Sequence, residues 1–162
     1  MKIPIQKEGT IKMKNNRYEI FSSTISQLLK AMQLLKSRKM AQYGLKGTTC
    51  MCMIQILRSE NGLTAGELAE QGEIDKAQVS RCVSELIEQG YIFRDERDGR
   101  RYKQKYRLTT RGREVAEDVN RHLYDVQECI NKGISEEDLA AFYRVLDAFC
   151  VNFSEILQTL DK

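Results

Sequence analysis

The stretch "LTAGELAEQGEIDKAQVSRCVSELIEQGYIFRDERDGRRYKQKYRLTTRG", residues 63–112, decides the fold. It opens with Thr64 three positions before Glu67, the reciprocal pair that satisfies free amides at a helix start. Asp75 and Gln78 repeat that spacing. Val79, Cys82, Val83, Leu86 and Ile87 then supply a buried stripe that runs until Gly90 ends the helix. Two capped helices are thus joined by a short turn in which Gly72 permits a tight bend and Ile74 offers an apolar plug. From Tyr91 to Leu108 the apolar period falls from helical to two. With Asp98 and Gly99 as a two-residue turn, Tyr91, Phe93, Tyr102, Tyr106 and Leu108 fall on one face of a hairpin. Arg94, Glu96, Arg101, Lys103, Lys105 and Arg107 fall on the other.

Two helices and a basic hairpin in this order predict a winged helix-turn-helix. Leu68, Ala69, Ile74, Val79 and Cys82 take the positions where the two helices touch, and Ala69 is small because the crossing is close. The second helix turns Lys76, Ala77, Gln78, Ser80, Arg81, Ser84 and Glu85 outward. Gln, Ser and Arg side chains match the donors and acceptors displayed in a DNA major groove, and Arg81 is the leading candidate for a bidentate contact to guanine.

The charge distribution agrees. Residues 94–107 hold seven basic and three acidic side chains, a net +4, while the whole chain carries +3. DNA is a dense line of phosphates, so a nearly neutral chain that binds it must gather its cations at the contact. Arg97, Arg100 and Arg101 lie at the turn, where an arginine can reach a narrow minor groove, and Lys103 and Lys105 lie back toward phosphates.

Outward from this segment, residues 1–14 show no period and form a loose arm. Residues 15–43 form a helix with apolar positions at Tyr18, Phe21, Ile25, Leu28, Met32 and Leu35. Residues 44–109 make the winged domain. It begins with a short helix that places Cys50, Ile54 and Leu57 on one face and closes at the turn cluster "SENG", 59–62. Residues 110–162 supply two more long helices, broken at "NKG", 131–133, the second capped by Ser135. The fold class is mainly α with a small β wing. As a helix, residues 135–160 would extend about 39 Å, longer than a winged-helix core covers. The apolar seam therefore calls for a partner. Tyr18, Phe21 and Ile25, with Phe142, Leu146, Phe149, Phe153, Ile156 and Leu160, are the candidate homodimer contacts, and two-fold symmetry predicts a pseudo-palindromic site on double-stranded DNA.

Other classes find less support. No nucleophile–base pair, phosphate-binding glycine loop or metal-ligand cluster points to an enzyme or a cofactor. Apolar runs do not exceed five residues, too short for a membrane span, and the chain reads as cytoplasmic. Five scattered cysteines (Cys50, Cys52, Cys82, Cys129, Cys150) without a CxxC argue against a disulfide framework and read chiefly as buried apolar residues. A thiol-based redox regulator stays open, because Cys82 lies on the reading helix. So does a winged-helix module whose second helix docks a protein.

With "LTAGELAE", "DKAQVSRCVSELIEQGYI", the basic wing and "LTTRG" flanked by long helices, the chain from about Tyr18 onward resembles the MarR family of bacterial transcriptional regulators. The resemblance implies a homodimer that reads DNA with the 75–89 helix, usually as a repressor, and touches the minor groove with wing arginines. It carries Gln78, Ser80, Arg81 and Ser84 over as reading residues and Asp98 and Arg100 as wing residues, the aspartate bracing an arginine rather than touching DNA. It also implies a small, often aromatic or phenolic, ligand that releases the DNA. The chain departs from the pattern in a slightly longer stretch between Asp98 and Leu108, in having no cysteine before Cys50, and in having only His122 where zinc-sensing members use several histidines.

Overall fold

A computed structural model describes residues 16–72, 74–95 and 104–160. Helices α1 (Arg17–Ala41), α2 (Thr49–Arg58), α3 (Ala65–Gly72) and α4 (Lys76–Glu88) precede strands β1 (Ile92–Asp95) and β2 (Lys105–Leu108). Helices α5 (Thr110–Asn131) and α6 (Glu136–Leu160) follow. The chain forms two compact units, one through Asn120 and one from Arg121 onward, with the boundary inside α5.

In the first unit α2 is the centre. Thr49, Cys50 and every residue from Cys52 to Ile56 are buried, and the helix packs against α3, α4 and β2. The expectation of one buried face, with Cys50, Ile54 and Leu57 inward, is therefore too narrow. Neighbours on several sides bury Cys52, Met53 and Ile56 as well, and leave Leu57 only half-buried. The helix starts follow the expected chemistry. The Thr64 amide donates to Glu67 Oε2 at 2.7 Å and the Glu67 amide to Thr64 Oγ1 at 3.2 Å, closing the reciprocal pair. Gln78 donates its amide to Asp75 Oδ1 at 2.8 Å, and Asp138 donates to Ser135 Oγ at 3.1 Å. Gly72 is crowded: a Cβ there would lie 3.1 Å from both Gln55 Nε2 and Ile74 Cγ1.

The hairpin departs from the expected register. Asp98–Gly99 as a two-residue turn would set Asp95 opposite Tyr102, whereas Asp95 pairs with Lys105, Phe93 with Arg107 and Ile92 with Leu108. Phe93 therefore shares a face with Asp95, Lys105 and Arg107, while Arg94 shares one with Ile92, Tyr106 and Leu108. Two contacts fix this. Ile92 takes the core position, 2% exposed, with Phe93 at 41%. In addition, Leu63 exchanges backbone hydrogen bonds with Tyr106, at 3.2 Å and 2.7 Å, so β2 is seated against the α2–α3 connection as well as against β1. Gly62 makes that seat reachable: its φ is +70° and a Cβ would fall 2.6 Å from the Tyr106 carbonyl.

A polar cluster joins the end of α1 to α5 within the same unit. Asp118 accepts hydrogen bonds from the Tyr43 phenol and from the Lys39 ammonium. The Tyr91 phenol donates to the Tyr43 carbonyl at 2.9 Å, and the Arg111 guanidinium lies over the Tyr91 ring and donates to its oxygen at 3.0 Å. The hydrogen bond to Asp118 raises the Lys39 pKa above its usual 10.5 and the Tyr43 pKa above its usual 10.0. Both folded-state values lie above the unfolded ones, so this stabilisation is fully present below the unfolded values and is lost as pH climbs through the folded ones. Stability should thus stay level through neutral pH and fall on the alkaline side, and Tyr43→Phe should flatten that fall. Urea midpoints across an alkaline pH series check this, and an unchanged slope in the variant would count against it.

Candidate nucleic-acid interface

Helix α4 buries Val79, Cys82, Val83 and Leu86 against its neighbours, which fixes what faces outward. Lys76, Ala77, Ser80, Arg81 and Ser84 are exposed and Gln78 is half-buried, so the structure brings the expected reading residues onto one polar surface. Cys82 points inward. Its thiol donates to the Thr48 carbonyl at 3.3 Å and is hydrogen-bonded to Cys52, and that bond, with burial, pushes the Cys52 thiol well above the usual cysteine range. Cys50 and Cys52 complete this buried set, whereas Cys129 and Cys150 are exposed.

Glu85, which helical spacing turns outward with the reading residues, is half-buried and engaged. Its carboxylate accepts the Lys46 amide at 2.9 Å and meets the Lys46 ammonium at 3.5 Å. Lys46 is therefore an exposed cation placed beside α4 by the loop before α2. No local spacing could have found it, because its partner lies 39 residues away.

Of the wing residues, Lys105 is half-buried on β2 and Arg94 is exposed on β1. Arg97, Asp98, Arg100, Arg101 and Lys103 lie outside the described residues, as does the arm at 1–14. Arg107 departs from the outward basic face predicted for it. Its Nε donates to Asp95 Oδ2 at 2.5 Å and its Nη1 to the Glu60 carbonyl at 3.0 Å. The expected run of wing cations thus includes one that serves the fold.

In the helices outside the reading surface, Tyr18 is 75% exposed and Ile25 is exposed on α1, with Phe21 half-buried. On α6, Phe142, Phe149, Phe153, Ile156 and Leu160 are exposed, Leu146 is half-buried, and no residue of the helix is buried. Among the described residues no cluster of His, Cys, Asp and Glu could hold a metal ion, and no helix is long and apolar enough to cross a membrane.

A helix-turn-helix whose second helix exposes a polar face, followed at once by a two-stranded wing, defines a winged-helix fold. Known proteins narrow the class. A MarR family model matches residues 43–101. The transcriptional regulator BilQ of Clostridioides difficile is 28% identical over 127 residues, covering 77% of this chain and 84% of that protein. A putative MarR family regulator from Listeria monocytogenes, solved with a 26-mer DNA, has the same fold. It superposes with a TM-score of 0.73 at 16% identity, over 82% of this chain and 88% of that one. CouR from Rhodococcus jostii, solved with p-coumaroyl-CoA, superposes at 0.65 with 16% identity, over 80% and 90%. Over residues 43–101 the chain is similar to the MarR family of transcriptional regulators.

Proposed function

We propose that the protein is a homodimeric repressor that binds a pseudo-palindromic site on double-stranded DNA and is released by a small aromatic or phenolic ligand. The observation that carries the DNA reading is the polar face of α4, Lys76 to Ser84, followed in sequence by the basic segment 94–107. Support for two copies comes from the unburied apolar side chains of α6. Two-fold symmetry would place two reading helices about one DNA turn apart. A ligand is suggested by the acyl-CoA bound in CouR.

Selecting bound duplexes from a random pool tests the proposal and yields motif and symmetry together. Arg81→Ala should relax discrimination at one base position by roughly 1–3 kcal/mol, while Lys103→Ala should weaken binding to every sequence alike. With about eight phosphate contacts per dimer, log affinity should fall against log salt with a slope near −7. Equal binding of selected and scrambled duplexes by the wild type would sink site recognition, and a flat salt response would sink the wing's part in it.

The contact between Cys52 and Cys82 favours one second reading, regulation through these thiols. DNA affinity unchanged by peroxide would dispose of it. A protein-docking module would need apolar side chains on the outer face of α4, and Lys76, Gln78, Ser80 and Arg81 are not that.

A further inference from the structure

We infer that Arg107 is a positioning residue for the wing: held between Asp95 and the Glu60 carbonyl, it sets the hairpin's angle on the winged unit, and with it the reach of the wing's cations. The inference rests on the proposed DNA reading but assigns Arg107 no contact with DNA. It deepens that reading by separating one cation of the basic segment from the rest.

The geometry is that of a strut with two fixed ends. Arg107 and Asp95 lie diagonally across the β1–β2 ladder on one face, where long side chains reach each other, and their side chains are 29% and 11% exposed. The other end of the fork is anchored outside the sheet, on the α2–α3 connection, by the 3.0 Å bond from Nη1 to the Glu60 carbonyl. That connection is itself closed by the Ser59 hydroxyl donating to the Gly62 carbonyl at 3.1 Å. The arginine stem runs over Gly62, where a Cβ would come 2.9 Å from Arg107 Cγ. Beneath it, Leu63 and Tyr106 exchange their backbone bonds. One planar group thus ties β1, β2 and the turn before α3 together. A lysine, a single point donor on a flexible stem, cannot occupy both ends at fixed geometry.

The strut and the alternative, a phosphate contact, predict opposite results. Full-length protein would be titrated with a labelled mixed-sequence duplex at low salt and with a duplex selected from a random pool, each across a salt series. If Arg107 positions the wing, Arg107→Met and Arg107→Lys both lose affinity, by about tenfold and to a similar extent. Asp95→Asn also weakens binding, although it removes a negative charge beside DNA. Exchanging the pair, Asp95→Arg with Arg107→Asp, recovers part of the loss. If Arg107 instead touches phosphate, Arg107→Lys binds nearly as well as wild type and Asp95→Asn binds more tightly. Either result overturns the inference.

Hydrogen exchange at the Leu63 and Tyr106 amides gives a reading independent of DNA. It should quicken in Arg107→Met and Asp95→Asn while exchange in α2 stays slow, which also certifies the fold. Unchanged exchange overturns the strut even if no duplex binds. A wild type that binds no duplex, with exchange quickened in the variants, overturns the DNA reading and leaves the strut standing.

Discussion

Gly112→Ala should cost the winged unit about 3 kcal/mol or more, the penalty of forcing atoms into a space already filled by backbone. Gly112 lies in the first turn of α5, where its amide donates to Thr109 Oγ1 at 2.9 Å. A Cβ there would come 1.8 Å from the Tyr91 carbonyl oxygen, far inside any real contact. That oxygen cannot retreat cheaply, because it accepts the Thr109 amide at 3.0 Å and the Thr109 hydroxyl at 3.2 Å. The change therefore either parts α5 from β1 or breaks these bonds and leaves a buried acceptor unpaired. Gly133→Ala is the control. It sits at φ +82° with nothing within 4 Å, so only the left-handed backbone penalty of about 1 kcal/mol applies. Urea midpoints of the two variants measure the difference, and a Gly112→Ala protein as stable as wild type would refute the close approach.

Ile156→Asp combined with Leu160→Asp should leave a folded monomer and lower DNA affinity by about a hundredfold. Both side chains are exposed, Ile156 at 54% and Leu160 at 76%, so charging them removes no buried contact within the chain. In the proposed homodimer they meet an apolar partner surface, where an unpaired carboxylate costs several kcal/mol. Losing the dimer then makes two half-sites bind independently, which removes an avidity of roughly two orders of magnitude or more. Sedimentation would report the mass and circular dichroism the retained helix. A double variant that is still dimeric would exclude this end of α6 from the interface.

Most of the elements were legible in the sequence because they announce themselves locally. Thr64 with Glu67, Asp75 with Gln78, and Ser135 each mark a helix start within four residues. The inward stripe of α4 follows from 3.6-residue spacing, and its outward residues follow by subtraction. What escaped was set at long range. The wing register depends on the backbone of Leu63, some forty positions from Tyr106, and on a core seat for Ile92 that simple alternation assigned to Phe93. Arg107 read as one of many cations, since nothing near it in sequence reveals the Glu60 carbonyl. The burial of α2 on several sides likewise reflects its four neighbours, α1, α3, α4 and β2, rather than its own pattern.

The Leu63–Tyr106 bridge also bears on strand pairing between copies of this chain. A two-stranded hairpin offers two open flanks, and each is a template onto which a foreign strand can zip. Here the β2 flank is stoppered by Leu63, and β1 carries two charged residues, Arg94 and Asp95. Cross-strand accretion is discouraged at both borders, as the proposed pairing through helices and the proposed docking of the wing on DNA both require.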